Sequence, residues 1–148
     1  MKVYVAADHR GFTAKQAVLA YLKKRAIDYE DLGDETYDPN DDFPVFALKA
    51  THAVLAKDNA RAILLCGSGQ GMVMAANRVR GIRAGLGWSK AAAWGIRNDE
   101  DSNVIAIPAE LYDTNPKLVH TIIDTFLDTP FANAPRYVRR NKQLDTLA

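Results

Sequence analysis

Short apolar runs alternate along the chain with longer stretches in which apolar residues recur every three or four positions. The short runs predict strands over 3–7, 29–32, 62–65, 81–87 and 103–108. The longer periods predict helices over 12–25, 72–77, 90–96 and 117–127, and a further one from Pro44, at its first turn, through Leu55. Residues 3–7 are apolar throughout, as expected of a strand covered on both faces. Strands and helices in this alternation predict an α/β fold: a Rossmann-like three-layer sandwich, with a five-stranded, mostly parallel sheet between helices. No repeat, low-complexity tract or linker interrupts the pattern, so residues 1–148 are expected to form a single domain.

One stretch stands out from this regular pattern. Cys66-Gly67-Ser68-Gly69-Gln70-Gly71 closes the third strand and leads into a helix. Glycines at alternate positions before a helix let backbone N–H groups converge on an anion. The chain's one cysteine is at the strand's end beside them. Next to a helix N-terminus its thiol pKa is expected to be lowered, which suits proton transfer or nucleophilic chemistry. The loop lacks the Gly-Lys-Ser/Thr ending of a nucleotide-binding P-loop, and Met72 stands where a phosphatase loop needs arginine. Without a second cysteine it is no dithiol motif.

Ligands of open parallel sheets bind beyond the carboxyl ends of the strands. The polar turns Asp8-His9, Cys66 to Gly71, and Asp99 to Asp101 are expected to converge there. Asp8 equally suits a helix cap, and Arg136, Arg139 and Arg140 a solvated helix face. Folded over the site, Arg136 and Arg140 share a helix face and have the fork geometry for phosphate. His52 and His120, within helices, are assigned to structure, as are Asn77 and Arg83, or to a subunit contact.

Composition narrows the functional classes. With a formal net charge of +1, the chain has no global attraction for nucleic acid or anionic membrane, and neither is an expected partner. No stretch has the length of a membrane span, and the N-terminus reads as a strand rather than a signal peptide. A solitary cysteine fits a reducing compartment, so a cytoplasmic protein is expected.

The chain resembles the ribose-5-phosphate isomerase B family, which includes the galactose-6-phosphate isomerase subunits. The resemblance rests on the string from Cys66 to Met72 with Ala75-Ala76-Asn77-Arg78-Val79 and Gly81-Ile82-Arg83-Ala84, and on Ala7-Asp8-His9-Arg10-Gly11-Phe12 with Lys15. Asp31-Leu32-Gly33, Asp42-Phe43-Pro44 and the pair Arg136 and Arg140 extend it over essentially the whole length.

The resemblance implies aldose–ketose isomerisation of a phosphorylated sugar through a cis-enediolate, with neither metal nor cofactor. It also implies a homodimer, or a tetramer, with active sites shared between subunits. Cys66 is then the base, the N–H groups of Gly67, Gly69 and Gly71 hold the enediolate oxygen, and Ser68 relays a proton. Asp8 binds sugar hydroxyls, and His9, Arg136 and Arg140 the phosphate.

Two departures bear on the substrate. Where the family carries a ring-opening histidine followed by asparagine, this chain has Asp99 and Glu100, or Asn98 if a one-residue gap is allowed. The family's Gly-x-Arg after the fifth strand is Pro108-Ala109-Glu110. The expectation is a retained proton-transfer centre with altered sugar recognition. Either Asp99 opens the ring, or the substrate is another sugar phosphate, such as a tetrose 4-phosphate or a hexose 6-phosphate. A non-catalytic sugar-phosphate-binding subunit is the alternative from another class.

Overall fold

The structure is a computed structural model and describes residues 1–147. Its strands are β1 (Lys2–Ala7), β2 (Tyr29–Asp31), β3 (Ala60–Cys66), β4 (Ala84–Leu86) and β5 (Val104–Pro108). They form one sheet in the order β2-β1-β3-β5-β4, and every pairing is parallel. The helices are α1 (Phe12–Lys24), α2 (Phe43–Leu55), α3 (Gln70–Ala76), α4 (Lys90–Asn98), α5 (Ala109–Thr114), α6 (Pro116–Asp128) and α7 (Pro135–Leu144).

Strand alternation sends two different sets of side chains to the two faces. Val3, Val5, Ile63, Leu65, Ile105 and Ile107 pack with α1 and α6, and with Ala93 of α4. Ala6, Ala62, Leu64, Cys66 and Ala106 face α2 and α3. The large β-branched and leucine side chains fill the first layer, and the small residues of the second let Ala47, Ala50 and Ala76 come close. Cys66 belongs to the second set, so its sulfur is directed toward α3.

The elements follow the sequence expectation with two differences. Expected over 81–87, the fourth strand spans only Ala84–Leu86. It is an edge strand, and the chain before it pairs instead with side chains: Asn103 Oδ1 accepts from Arg83 N (2.9 Å), and Asn77 brackets Ala84 (2.8 and 2.9 Å). The helix α5 is additional, its six residues being too few to show a period. α7 is the helix on which Arg136 and Arg140 were expected to share a face.

β1 and β3 are neighbours, while the chain leaves β1 toward β2 on one side and leaves β3 toward β4, beyond β5, on the other. The crevice of such a sheet opens at the carboxyl ends of that pair. Asp8 and Cys66 are the residues at those two ends.

Candidate active site

Cys66 ends β3 as a buried side chain, and the backbone N–H of Gly69 donates to its Sγ at 3.2 Å. Gly69 has φ +76°, and a Cβ there would stand 2.7 Å from Leu86 Cδ1. Only glycine combines this left-handed turn with that close approach. The turn starts α3, where the N–H groups of Gly69 and Met72 converge on the Cys66 sulfur. Gly71 lies beneath the Phe43 ring, and Ser68 is exposed at the loop's crest, 3.5 Å from Gln70 N.

The thiol pKa is displaced opposite to expectation. Burial pushes the Cys66 thiol up, while the N–H groups of Met72, Gly69 and Ser68 pull it down and the Asp8 carboxylate adds to the rise. Desolvation outweighs three hydrogen bonds because the sulfur sits in the apolar layer beneath the loop.

Asp8 caps the single 3-10 turn of His9–Gly11, with Oδ1 accepting from Gly11 N at 3.0 Å. The capping reading and the proximity to Cys66 therefore both hold. Burial also raises the Asp8 pKa, against the hydrogen bond from Gly11. His9 turns to Asp41 from the loop before α2, its Nδ1 2.6 Å from Oδ1. Arg10 runs over Gly67 and pairs with Glu110 at 2.9 Å. Glu110, in the family's arginine position, is thus neutralised by an arginine from the neighbouring turn.

Asp99, Glu100, Arg136 and Arg140 are not part of this cluster. A segment that precedes a parallel strand lies at the sheet's amino end, so the turn before β5 sits opposite Cys66. Arg83, just before β4, binds it there: Nε donates to the Glu100 carbonyl (2.9 Å) and Nη2 pairs with Asp101 (3.2 Å). α7 joins that end through Arg83–Asp145 (3.0 Å) and Ala132 N to the Asn98 carbonyl (3.0 Å), and Arg136 senses the charge of Asp99. The expected convergence of three turns is corrected to two. β3 is seven residues long, so the two ends are separated by about 20 Å.

Over residues 3–144 the chain matches the family described as Ribose/Galactose Isomerase. It belongs to that family. This family member, an aldose–ketose isomerase, is 36% identical over 148 residues to the ribose-5-phosphate isomerase B of Mycolicibacterium paratuberculosis, covering 100% of this chain and 90% of that one. The crystal structure of a Thermotoga maritima ribose 5-phosphate isomerase superposes with a TM-score of 0.92 at 37% identity, over 99% of this chain and 98% of that one. The Mycoplasma genitalium ribose-5-phosphate isomerase B with bound ribulose-5-phosphate superposes at 0.89 and 32% identity, over 97% and 93%.

In this isomerase three residues at the carboxyl end escaped sequence reasoning. Arg10 entered only within the string from Ala7 to Phe12, and Asp41, 32 positions from His9, belonged to no motif. Phe43 entered only within Asp42-Phe43-Pro44, although its ring covers Gly71. No group of three or more histidine, cysteine, aspartate or glutamate residues suited to a metal ion occurs among the described residues. No helix among them is long and apolar enough to cross a membrane.

Proposed function

We propose that this isomerase interconverts ribose 5-phosphate and ribulose 5-phosphate through a cis-enediolate. The observation that carries this reading is the Cys66 Sγ under the glycine loop, 3.2 Å from the Gly69 N–H. A thiolate there takes the proton from the carbon beside the carbonyl and returns it to the neighbouring carbon. Backbone N–H groups of Gly67 and Gly71 serve the oxygen on which negative charge develops, while that of Gly69 is held by the Cys66 sulfur. Ser68 passes the hydroxyl proton between the sugar oxygens, and Asp8 binds the hydroxyls. His9 holds the phosphate at the turn after β1.

Arg136, Arg140, Asp99 and Glu100 complete the site from a second copy of the chain. Their separation from Cys66 along the length of the sheet supports this division. A two-fold pair brings the amino end of one copy to the carboxyl end of the other. Val45, Leu48 and Leu55 on α2 and Met74 on α3 are exposed apolar residues on one layer, suited to such a contact. Asp99, capping the end of α4, then opens the sugar ring in place of the family histidine. A cytoplasmic location accords with the free thiol.

A second reading, isomerisation of a tetrose 4-phosphate or a hexose 6-phosphate, is favoured by the lack of a histidine at the ring-opening position. The deciding experiment is a turnover panel of phosphorylated aldoses of four to six carbons, with solvent deuterium incorporation beside the carbonyl. Turnover of ribose 5-phosphate above the others supports the first reading, and preference for a shorter or longer sugar supports the second. Absence of exchange with every sugar removes both.

A further inference from the structure

Asp41 is an unusual acid for a loop residue. Its side chain is 7% exposed, and Oδ1 accepts both the backbone N–H of His9 (3.0 Å) and the ring Nδ1 (2.6 Å). Oδ2 is buried and accepts no hydrogen bond among the described residues. A carboxylate only accepts, so Nδ1 carries its hydrogen and Nε2 is the ring nitrogen left for another partner.

A buried carboxylate with one unfilled oxygen is costly unless a positive charge stands beside it. The His9 ring is the group in contact that can supply it. Facing that ring are Asp41 from the loop before α2 and, from its own turn, Asp8 and Arg10. The Asp41 hydrogen bond, with the charges of Asp41 and Asp8, raises the His9 pKa against its partial burial and Arg10. Arg10 is itself occupied by Glu110.

From this geometry we infer that Asp41 is a positioning residue that holds His9 as an imidazolium with its Nε2–H free, making the turn after β1 a charge-gated anion receptor. The inference rests on the proposed phosphate role of His9 and deepens it. Phosphate is bound by the charge-assisted Nε2–H while the ring is protonated; when that proton leaves, Nδ1 keeps its hydrogen on Asp41 and Nε2 presents a lone pair that cannot donate. Because Asp41 raises the folded pKa, strong anion binding persists above the ordinary histidine value and is lost as pH rises through the raised one.

The test follows His9 itself. Imidazole NMR of the full chain, with inorganic phosphate as the probe, compares the native protein with Asp41→Asn. The His9 signal is distinguished from those of His52 and His120 by its absence in His9→Asn. Asparagine keeps an oxygen for the His9 backbone N–H and removes the charge. The His9 midpoint is expected to fall by about one pH unit in Asp41→Asn. Phosphate is expected to bind that variant about tenfold more weakly at pH 8 and equally at pH 5.5, where both rings are charged.

Equal midpoints in the two proteins, or equal phosphate affinity at pH 8, overturn the inference. If Asp41→Asn does not fold, the native protein alone decides: a His9 midpoint at or below about 6.5 overturns it, and one above supports it. None of these readouts requires turnover. A protein inactive on every phosphorylated sugar therefore refutes the functional reading separately from the His9–Asp41 pair.

Discussion

The guanidinium of Arg10 occupies the space a side chain on Gly67 would need. A Cβ there would stand 2.5 Å from the Arg10 Cζ. Held in this position, Arg10 reaches from the turn after β1 to Glu110 at the start of α5, across the loop that follows β3. The strap crosses the mouth of the Cys66 loop, although both of its side chains are more than half exposed. Its worth to stability is accordingly small, and its consequence lies in the charge presented to an anionic substrate.

Glu110→Gln leaves the Arg10 guanidinium unneutralised at that mouth. KM for the phosphorylated sugar is expected to fall about threefold at low ionic strength, with kcat unchanged and the gain lost at high salt. Steady-state kinetics at two salt concentrations measure this. A KM unaffected at either concentration would mean that Arg10 does not face the substrate. Gly67→Ala, which displaces Arg10 by its flexible end, is expected to cost under about 1 kcal/mol in urea unfolding.

Cys66→Ala is expected to lower kcat by about a hundredfold or more, with little change in unfolding midpoint, because a small buried residue replaces another. The active base is the thiolate, and burial holds the thiol above its usual range. The thiolate fraction, and with it kcat/KM, is therefore expected to climb through neutrality and continue past about pH 8.5. Initial rates across the alkaline range check this, and a profile that levels off below neutrality contradicts it.

Cys66→Ala and Arg140→Ala are each expected to be inactive on sugar phosphate, yet to complement each other. In a two-fold dimer with shared sites, a mixed pair has one intact site and one doubly damaged site. Equal amounts of the two variants, unfolded and refolded together, are expected to recover about a quarter of native activity. Recovery of none would mean that Cys66 and Arg140 do not come together from different copies.

Lys15 of α1 is wholly buried and pairs with Asp31 at the end of β2, whose other oxygen accepts from Gly33 N at 3.0 Å. Asp31→Asn strips the partner from a buried ammonium and is expected to destabilise by about 3 kcal/mol. Lys15→Met, which keeps the stem that packs beside Gly33, is expected to cost much less. Urea unfolding of both variants distinguishes a packing role for Lys15 from a charge role.

Most of the fold was legible in the chain because its signals are local. An apolar run such as Ala62-Ile63-Leu64-Leu65 and the helical spacing of Leu118, Ile122, Ile123 and Phe126 each depend on neighbours a few residues away. β3 and α6 formed where those patterns lie. The glycine loop was legible for the same reason: Gly69 is required by its own left-handed backbone angle. The short helix α5 was not, since six residues contain too little of a period.

Taken by itself, the sequence determined the alternating α/β architecture, the thiol at the end of a central strand and the glycine turn beside it. Tertiary structure alone decided the rest of the site. The turn containing Asp99 and Glu100 resembles the other polar turns residue by residue, but it precedes a parallel strand where Asp8 and Cys66 follow theirs. Strand direction therefore puts it at the far end of the sheet, together with Arg136. The direction of the Cys66 pKa shift was likewise settled by burial in the α2–α3 layer. Asp41 met His9 only because the loop before α2 returns across the end of β1. Each of these depends on contacts between residues far apart in the chain, and spacing along one segment does not encode them.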